Sequence, residues 1–563
     1  MHQDWKEGEH VPSDQEIAQS VRPQDIREVA AKIGLSEDDL DLYGRTKAKI
    51  LPEAAAKKGA GRPEAKYVVV TAINPTPLGE GKTVTSIGLG QAMNRIGQKT
   101  ITCLRQASLG PALGIKGGAA GGGRAQLLPS EEVTMHLTGD MHAVTAANNQ
   151  CVAMADAHVY HGNELGIDEI QLRRVLDVDD RALRMIVQGL GGRANGPLRE
   201  AGFDITAASE VMAILALARD LPDLRARLGR MVVAFTADGK PVTAEDLRAA
   251  GVMAVLLREA IKPNLVQNLE HDPVFVHAGP FGNIAHGNSS VVADLLAVRL
   301  ADWVVTEAGF GADLGAEKMF NIKCRETGLH PRVAVVVATI RALKMHGGVG
   351  RVRAGRPLPK ELTQEHLPAL KKGCANLVKH IENVRLHGVR PVVAINHFPT
   401  DTDREIELVR QMALEAGAAA VEVSDVYAAG GPGGRALAEA VVKAAEGPDE
   451  FHFLYPDDAA PEEKIRTICQ KIYGADDIEL SPLARRQLRR YRDLGWAGFP
   501  ICMAKTHLSL SADPSLLGRP TGFKVPVREV RASVGAGFLY ALCGDIATMP
   551  GLPKESGAMF YDL

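Results

Sequence analysis

Apolar positions fall in short unbroken runs, separated by stretches in which they recur at three- and four-residue spacing. The clearest runs are Val68 to Ile73, Thr100 to Leu104, Met231 to Phe235, Pro273 to Val276, Trp303 to Thr306, Arg332 to Ala338, Pro391 to Ile395 and Ala418 to Val423. A strand with one wet face alternates apolar and polar side chains; a run that stays apolar belongs to a strand covered on both faces. Such runs alternating with helical segments predict an α/β fold, a mainly parallel sheet flanked by helices, with further smaller α/β domains. Residues 1 to about 60 read as helical and mostly polar, passing Leu42-Tyr43-Gly44 into the basic stretch Lys47 to Lys49. Compositional shifts at 350–360 and 446–463 read as surface linkers or domain edges.

One junction stands out. The run ending at Ile73 is followed by Thr76, Pro77, Leu78, Gly79, Glu80, Gly81, Lys82 and Thr83. Leu89, Ala92, Met93 and Ile96 then keep helical spacing, Gly97 can stop that helix, and Thr100 to Leu104 is the next strand. This is a complete βαβ unit with a glycine-containing loop at the carboxyl end of its first strand, the end at which open α/β sheets bind ligands. Backbone N–H groups of such a loop and the helix N-terminus attract phosphate. A lysine there reaches the outer phosphates of a nucleotide, and the hydroxyl of Thr83 either ligates magnesium or caps the helix. Thr76 departs from the usual pattern, which begins with glycine. A nucleoside triphosphate held with magnesium is the expectation, and the P-loop-type part is placed in an N-terminal domain over 1–330. An α/β domain over 331–450 and a C-terminal α/β domain over 451–563 follow.

Net charge is −3, which excludes a broad attraction to nucleic acid or anionic membrane. The seven cysteines form no C-x-x-C pair and are widely spaced, as expected of reduced thiols in a cytoplasmic protein. No apolar run reaches the 18 or more residues of a membrane span, and the first residues lack a secretory core. The 57 glycines cluster at 110–123, 279–287, 309–315 and 430–434, where backbone is expected to approach a large polar ligand.

Arg105 follows the second strand at the same sheet edge; its planar guanidinium suits a small carboxylate or phosphate, or is a surface group. Glu307 and Asp313 flank a glycine cluster and can hold magnesium through water or cap a helix. His136, Asp140 and His142 have tempting spacing, but no cysteine or third histidine stands at ligand distance, and Gly139 implies a turn. Phe398, just past the strand ending at Ile395, offers a stacking face for a flat ring.

Taken together, the motifs resemble those of the formate–tetrahydrofolate ligase family, also called 10-formyltetrahydrofolate synthetases. The segments are T-P-L-G-E-G-K-T, G-I-K-G-G-A-A-G-G-G (Gly114 to Gly123), K-P-N-L-V-Q (Lys262 to Gln267) and G-P-F-G-N-I-A-H-G (Gly279 to Gly287). They continue with V-T-E-A-G-F-G-A-D-L-G-A-E-K (Val305 to Lys318), V-A-T-I-R-A-L-K-M-H-G-G (Val337 to Gly348), F-P-T-D-T (Phe398 to Thr402), G-R-P-T-G-F (Gly518 to Phe523) and T-M-P-G-L-P (Thr548 to Pro553). The order is kept from about residue 40 to the C-terminus.

The resemblance implies MgATP, formate and tetrahydrofolate as substrates. Formyl phosphate is the implied intermediate, and 10-formyltetrahydrofolate, ADP and phosphate the products. It also implies a homotetramer that responds to a monovalent cation such as potassium or ammonium. It gives Lys82 and Arg105 catalytic roles, Arg105 at formyl phosphate, and makes Phe398 and Tyr427 the two walls of the folate site. A relay of the N10 proton through His136, Asp140 or His142 stands beside a purely structural cluster. Tyr427 stands where the family has tryptophan, Gln106 where it has glutamate, and Arg124 where it has tyrosine. The segment after His286 reads Gly287-Asn288-Ser289-Ser290 instead of G-C-N-S. Gln106 and Arg124 flank one glycine-rich segment and are expected to act as a linked pair.

Overall fold

A computed structural model describes residues 12–560, apart from 59–60, 62, 115–119, 283, 351, 353–356 and 545. Its frame is one large sheet. The strands are β1 (Leu40–Leu42), β2 (Ala48–Ile50), β3 (Lys66–Ala72), β4 (Thr100–Leu104), β5 (Asn264–Asn268), β6 (Pro273–Val276), β7 (Trp303–Glu307), β8 (Val333–Ala338), β9 (Arg390–Asn396) and β10 (Ala420–Ser424). Their order across the sheet is β1-β2-β5-β6-β4-β7-β3-β8-β9-β10. From β6 to β10 every neighbouring pair is parallel. β1, β2 and β5 extend this core antiparallel, and the hairpin Gly121–Gly122/Ala125–Leu128 attaches to β5.

Six helices supply side chains to the sheet's carboxyl edge and its supports: α1 (Asp14–Gln19), α2 (Lys82–Arg95), α3 (Asp140–Tyr160), α4 (Ile340–His346), α5 (Leu367–Arg385) and α6 (Asp403–Glu415). The period of two along a strand divides the apolar residues between two cores. Val68, Val70, Val335 and Val337 pack with Leu89 and Met93 of α2 and with Leu437 and Val441. Val69, Val336 and Val393 point the other way, to the core that holds Ile340, Leu343, Leu377, Ile381 and Val409. Covered on both faces, these strands carry no polar alternation, which is why their runs were legible. The chain passes from β3 to β4 on one side and later to β8 on the other, so strand order reverses at β3. A crevice at the carboxyl end of β3 follows from that reversal.

Two expectations change. The run at Met231 is a strand (Val232–Thr236), but it pairs antiparallel with Ile167–Ile170 and Pro241–Thr243, away from the parallel sheet. The first 60 residues hold β1 and β2 besides helices, and Lys49 of the basic stretch is buried. In the 446–463 segment, read as a surface linker or domain edge, Phe451 stacks on His330 and meets Phe320 edge-on. Most of 351–356 is outside the described residues. A smaller C-terminal α/β unit carries its own core around Ile465, Tyr473, Leu488 and Met503. All seven cysteines are buried thiols.

Glu210, at the seam with that unit, is half-buried and accepts only backbone bonds among the described residues, from Gly535 N at 2.8 Å and Ala536 N at 3.4 Å. Burial pushes its carboxyl up to about 8. The folded state then holds a proton that the unfolded chain releases near pH 4.5, so this contribution is full below pH 4.5 and lost as pH rises towards 8. Glu210→Gln should flatten the pH dependence of unfolding across that window by about 1.4 kcal/mol per pH unit at most. Urea titrations at several pH values check this; unchanged slopes would mean Glu210 is ionised throughout.

Candidate functional site

The loop after β3 is held in shape from beneath. Gly79 and Gly81 have φ of 80° and 77°, so both sit in the left-handed region. At Gly81, the N-cap of α2, a Cβ would lie 2.5 Å from Asn396 Nδ2 at the end of β9. That amide donates to Glu80 O at 3.1 Å. The Glu80 carboxylate is buried, accepts from Thr76 N at 2.6 Å and from the Thr339 hydroxyl, and has its pKa raised by burial. Thr76, the departure from the usual pattern, has no positive φ. Its hydroxyl accepts from Leu78 N at 3.3 Å and its carbonyl from Gly79 N at 3.0 Å. A threonine closes this turn where a left-handed glycine is not needed.

Lys82 and Thr83 open α2 at the mouth of the crevice. Thr83 Oγ1 donates to Glu307 Oε2 at 2.8 Å. Glu307 ends β7, and its other oxygen lies 3.8 Å from Arg105 Nε, an ion pair beyond hydrogen-bond reach. Arg105 Nη1 donates to Pro280 O at 3.3 Å. The carboxyl ends of β3, β4 and β7 thus bring together a lysine, a hydroxyl, an arginine and a carboxylate. Around them, Arg105 Nε, Gln106 Oε1, Asn288 Oδ1 and both ring nitrogens of His286 are buried without a hydrogen-bond partner among the described residues. Burial first, then Lys323 and Arg105, holds the His286 imidazole well below its ordinary pKa, so it is neutral.

The second half of the site lies two and three strands across the sheet from β3, at the ends of β9 and β10. Phe398 follows β9; its backbone N donates to Asp401 Oδ2 at 2.9 Å. The Arg341 guanidinium stands 4.1 Å from the Phe398 ring centre and reaches Gly79 O at 3.5 Å, tying the aromatic to the glycine loop. Tyr427 lies just past β10, half exposed, with Gly122 and Gly123 against its ring. Its hydroxyl donates to Asp14 Oδ1 of α1 at 2.9 Å. His397 Nδ1 pairs with Asp425 Oδ1 at 2.6 Å and joins the two loops.

His136 and His142 meet edge-on with ring centres 4.7 Å apart. Asp140 turns away from them. It is buried, paired with Lys49 Nζ at 2.8 Å and accepting from Asn264 Nδ2 at 2.8 Å. Among the described residues no group of His, Cys, Asp and Glu could hold a metal ion. Lys116, Gly117 and Gly118 lie outside the described residues.

Gln106 and Arg124 have different partners. Gln106 is buried, its N donating to Ala278 O at 2.8 Å. Arg124 is exposed; its N donates to Tyr427 O at 2.7 Å and its carbonyl accepts from Gln91. Gln91 is about 13 Å along α2 from Lys82 at the helical rise, so Arg124 belongs to the Tyr427 side. Sequence reasoning placed Glu80 in the loop without its supporting role, and missed Arg341, Asn396 and His286. His286 was visible inside G-P-F-G-N-I-A-H-G; the others act through partners remote in the chain.

The formate–tetrahydrofolate ligase family model matches residues 12–563. A formate–tetrahydrofolate ligase of Saccharopolyspora erythraea is 58% identical over 555 residues, covering 98% of each chain. One of Desulforamulus reducens is 57% identical over 555 residues with the same coverage. One of Paracoccus denitrificans is 55% identical over 551 residues, again at 98% of each. With the match running through every element that builds the crevice, the chain belongs to the formate–tetrahydrofolate ligase family.

Proposed function

We propose that the protein joins formate to tetrahydrofolate with ATP, through formyl phosphate. The observation that carries this reading is the convergence of Lys82, Thr83, Arg105 and Glu307 where strand order reverses. Formate has no leaving group. A formate oxygen attacks the γ-phosphorus, the bond to ADP breaks, and ADP leaves with the electron pair. N10 of the folate then attacks the formyl carbon, phosphate departs, and N10 loses its proton. Phosphoryl transfer is mostly positioning and charge neutralisation. Lys82 faces the outer phosphates. Thr83 and Glu307 are placed for magnesium, directly or through water. Arg105 can grip a carboxylate or acyl phosphate with two parallel donors. The unpartnered polar groups at Gln106, His286 and Asn288 support a small polar ligand beside it, since buried polar atoms rarely stay unpaired.

Phe398 and Tyr427 are the folate walls in this reading. Phe398→Ala should cost about 1–3 kcal/mol of folate affinity, the scale of base stacking on an aromatic, and leave MgATP affinity within twofold. Calorimetry with each ligand decides; equal losses for both would make Phe398 a packing residue. Homotetrameric assembly, activation by a monovalent cation and a cytoplasmic location belong to the same reading and rest on family resemblance. The direct experiment incubates MgATP, formate and tetrahydrofolate, measures 10-formyltetrahydrofolate, and omits each substrate in turn. ATP turnover without formate or folate would contradict the ligase reading, and acetate replacing formate would change the substrate.

A further inference from the structure

Three segments are given no part in the steps above: K-M-H-G-G, G-R-P-T-G-F and K-T-H-L-S-L-S-A-D (Lys505 to Asp513). They converge on Asn74, two positions before Thr76: His346 and His507 bond it directly, and Gly518 through His346 and Asn376. Asn74 O accepts from His346 Nε2 of α4 at 2.8 Å. Its N donates to His380 Nε2 at 3.1 Å, and its Oδ1 accepts from Asn376 Nδ2 at 2.9 Å, both on α5. Its Nδ2 reaches His507 O at 3.2 Å and the Asp313 carboxylate at 3.3 Å. Asp313 is paired with Lys505 Nζ at 2.7 Å, both side chains fully buried. The same groups grip the C-terminal turn. Gly518 N donates to His346 Nδ1 at 3.1 Å, and Gly518 O accepts from Asn376 Nδ2 at 2.7 Å.

His346 has one protonation state that fits. Nδ1 must be bare to accept from Gly518, so the proton is on Nε2 and is donated to Asn74 O. Asn376 likewise divides its amide between Asn74 and Gly518. Both bonds that fix the Gly518 turn are therefore made by side chains that also fix the chain entering the 76–83 loop. Gly518 has φ of 74°, and a Cβ there would meet His346 O at 3.1 Å, so the turn leaves little room for another seat.

We propose that Asn74, His346 and Asn376 are a coupling joint, positioning residues that make the geometry of the 76–83 loop depend on docking of the C-terminal 505–518 segment. The proposal rests on the reading of that loop as the nucleotide site. Coupling is reciprocal: if docking shapes the loop for nucleotide, nucleotide must tighten docking.

The test uses the full chain with MgADP as probe. Hydrogen exchange of the wild type should slow at 76–83 and also at 505–518 on MgADP binding. His346→Gln keeps a donor for Asn74 O, but its acceptor oxygen lies one bond farther from the backbone than Nδ1 and is out of place for Gly518 N, so it should weaken MgADP roughly 5- to 50-fold and abolish the protection at 505–518. Its KM for tetrahydrofolate, measured at saturating ATP, should stay within twofold. Protection confined to 76–83 in the wild type would overturn the joint and leave the nucleotide reading standing. So would a folded His346→Gln or Asn74→Ala variant with a lowered Tm and unchanged MgADP affinity, since that is what a purely structural role gives. Absence of protection at both segments, with Lys82→Met binding MgADP like wild type, would overturn the nucleotide reading itself. The wild-type exchange decides even if a variant fails to fold.

Discussion

Replacing Lys82 by Met should lower kcat/KM for ATP by at least about 10²-fold, the scale on which one preorganised charge stabilises a transition state. The fold should survive. Lys82 is the first residue of α2 and only partly buried, and Met is as good a helix former as Lys. The loop is shaped by Gly79, Gly81, Glu80, Asn396 and Thr76, none of which needs the ammonium. Steady-state kinetics with Tm as control check this. Near-wild-type activity in a folded Lys82→Met protein would remove the lysine from the reaction. Loss of both Tm and activity would instead make it a structural anchor.

What the chain revealed of itself follows from locality. The βαβ unit from Lys66 to Leu104 could be read because β3, α2 and β4 are consecutive, and both strands are apolar almost throughout. β5 reads Asn-Leu-Val-Gln-Asn, and its three polar residues are all buried. They tolerate burial because partners far along the chain satisfy them: Asn264 bonds Asp140, and Gln267 bonds the backbone at Gln24. A binary pattern cannot anticipate such partners. Lys49 was read only as part of a basic stretch for the same reason; its ammonium is paired with Asp140, 91 residues on.

The site divides along the same line. Lys82 and Thr83 were legible as a contiguous motif, and Arg105 and Phe398 as strand-end residues. The contacts that give them geometry were not. Thr83 to Glu307 spans 224 residues, and Arg341 to Gly79 spans 262. The expected link between Gln106 and Arg124 rests on their flanking one glycine-rich segment, while their hydrogen-bond partners differ. Gln106 stays with the Arg105 side of the site, and Arg124 is carried to the Tyr427 side.

The largest expected effect on stability lies beneath the turn that carries Phe398. Lys344 Nζ and Glu405 Oε1 are 3.0 Å apart and both side chains are fully buried. Lys344 also donates to Gln364 O at 2.9 Å, and Glu405 accepts from His366 N at 2.9 Å and Thr402 N at 3.3 Å. Each charge leaves water for the other, so removing one strands its partner. Lys344→Met should cost about 3–5 kcal/mol, the penalty of an uncompensated buried charge. Glu405→Leu should cost a similar amount, because it strands Lys344 and frees two backbone donors. The double variant should lose less than the sum, since no charge remains to be stranded. Thr402 caps α6 and follows Phe398 by four residues in one turn. Any folded single variant should therefore hold folate less tightly, with MgATP affinity nearly unchanged. Urea unfolding of the four proteins, with folate affinity at a temperature where all are folded, checks both parts. A single substitution costing under about 1 kcal/mol would mean that the pair behaves like a surface one, and that F-P-T-D-T is held by its own turn alone.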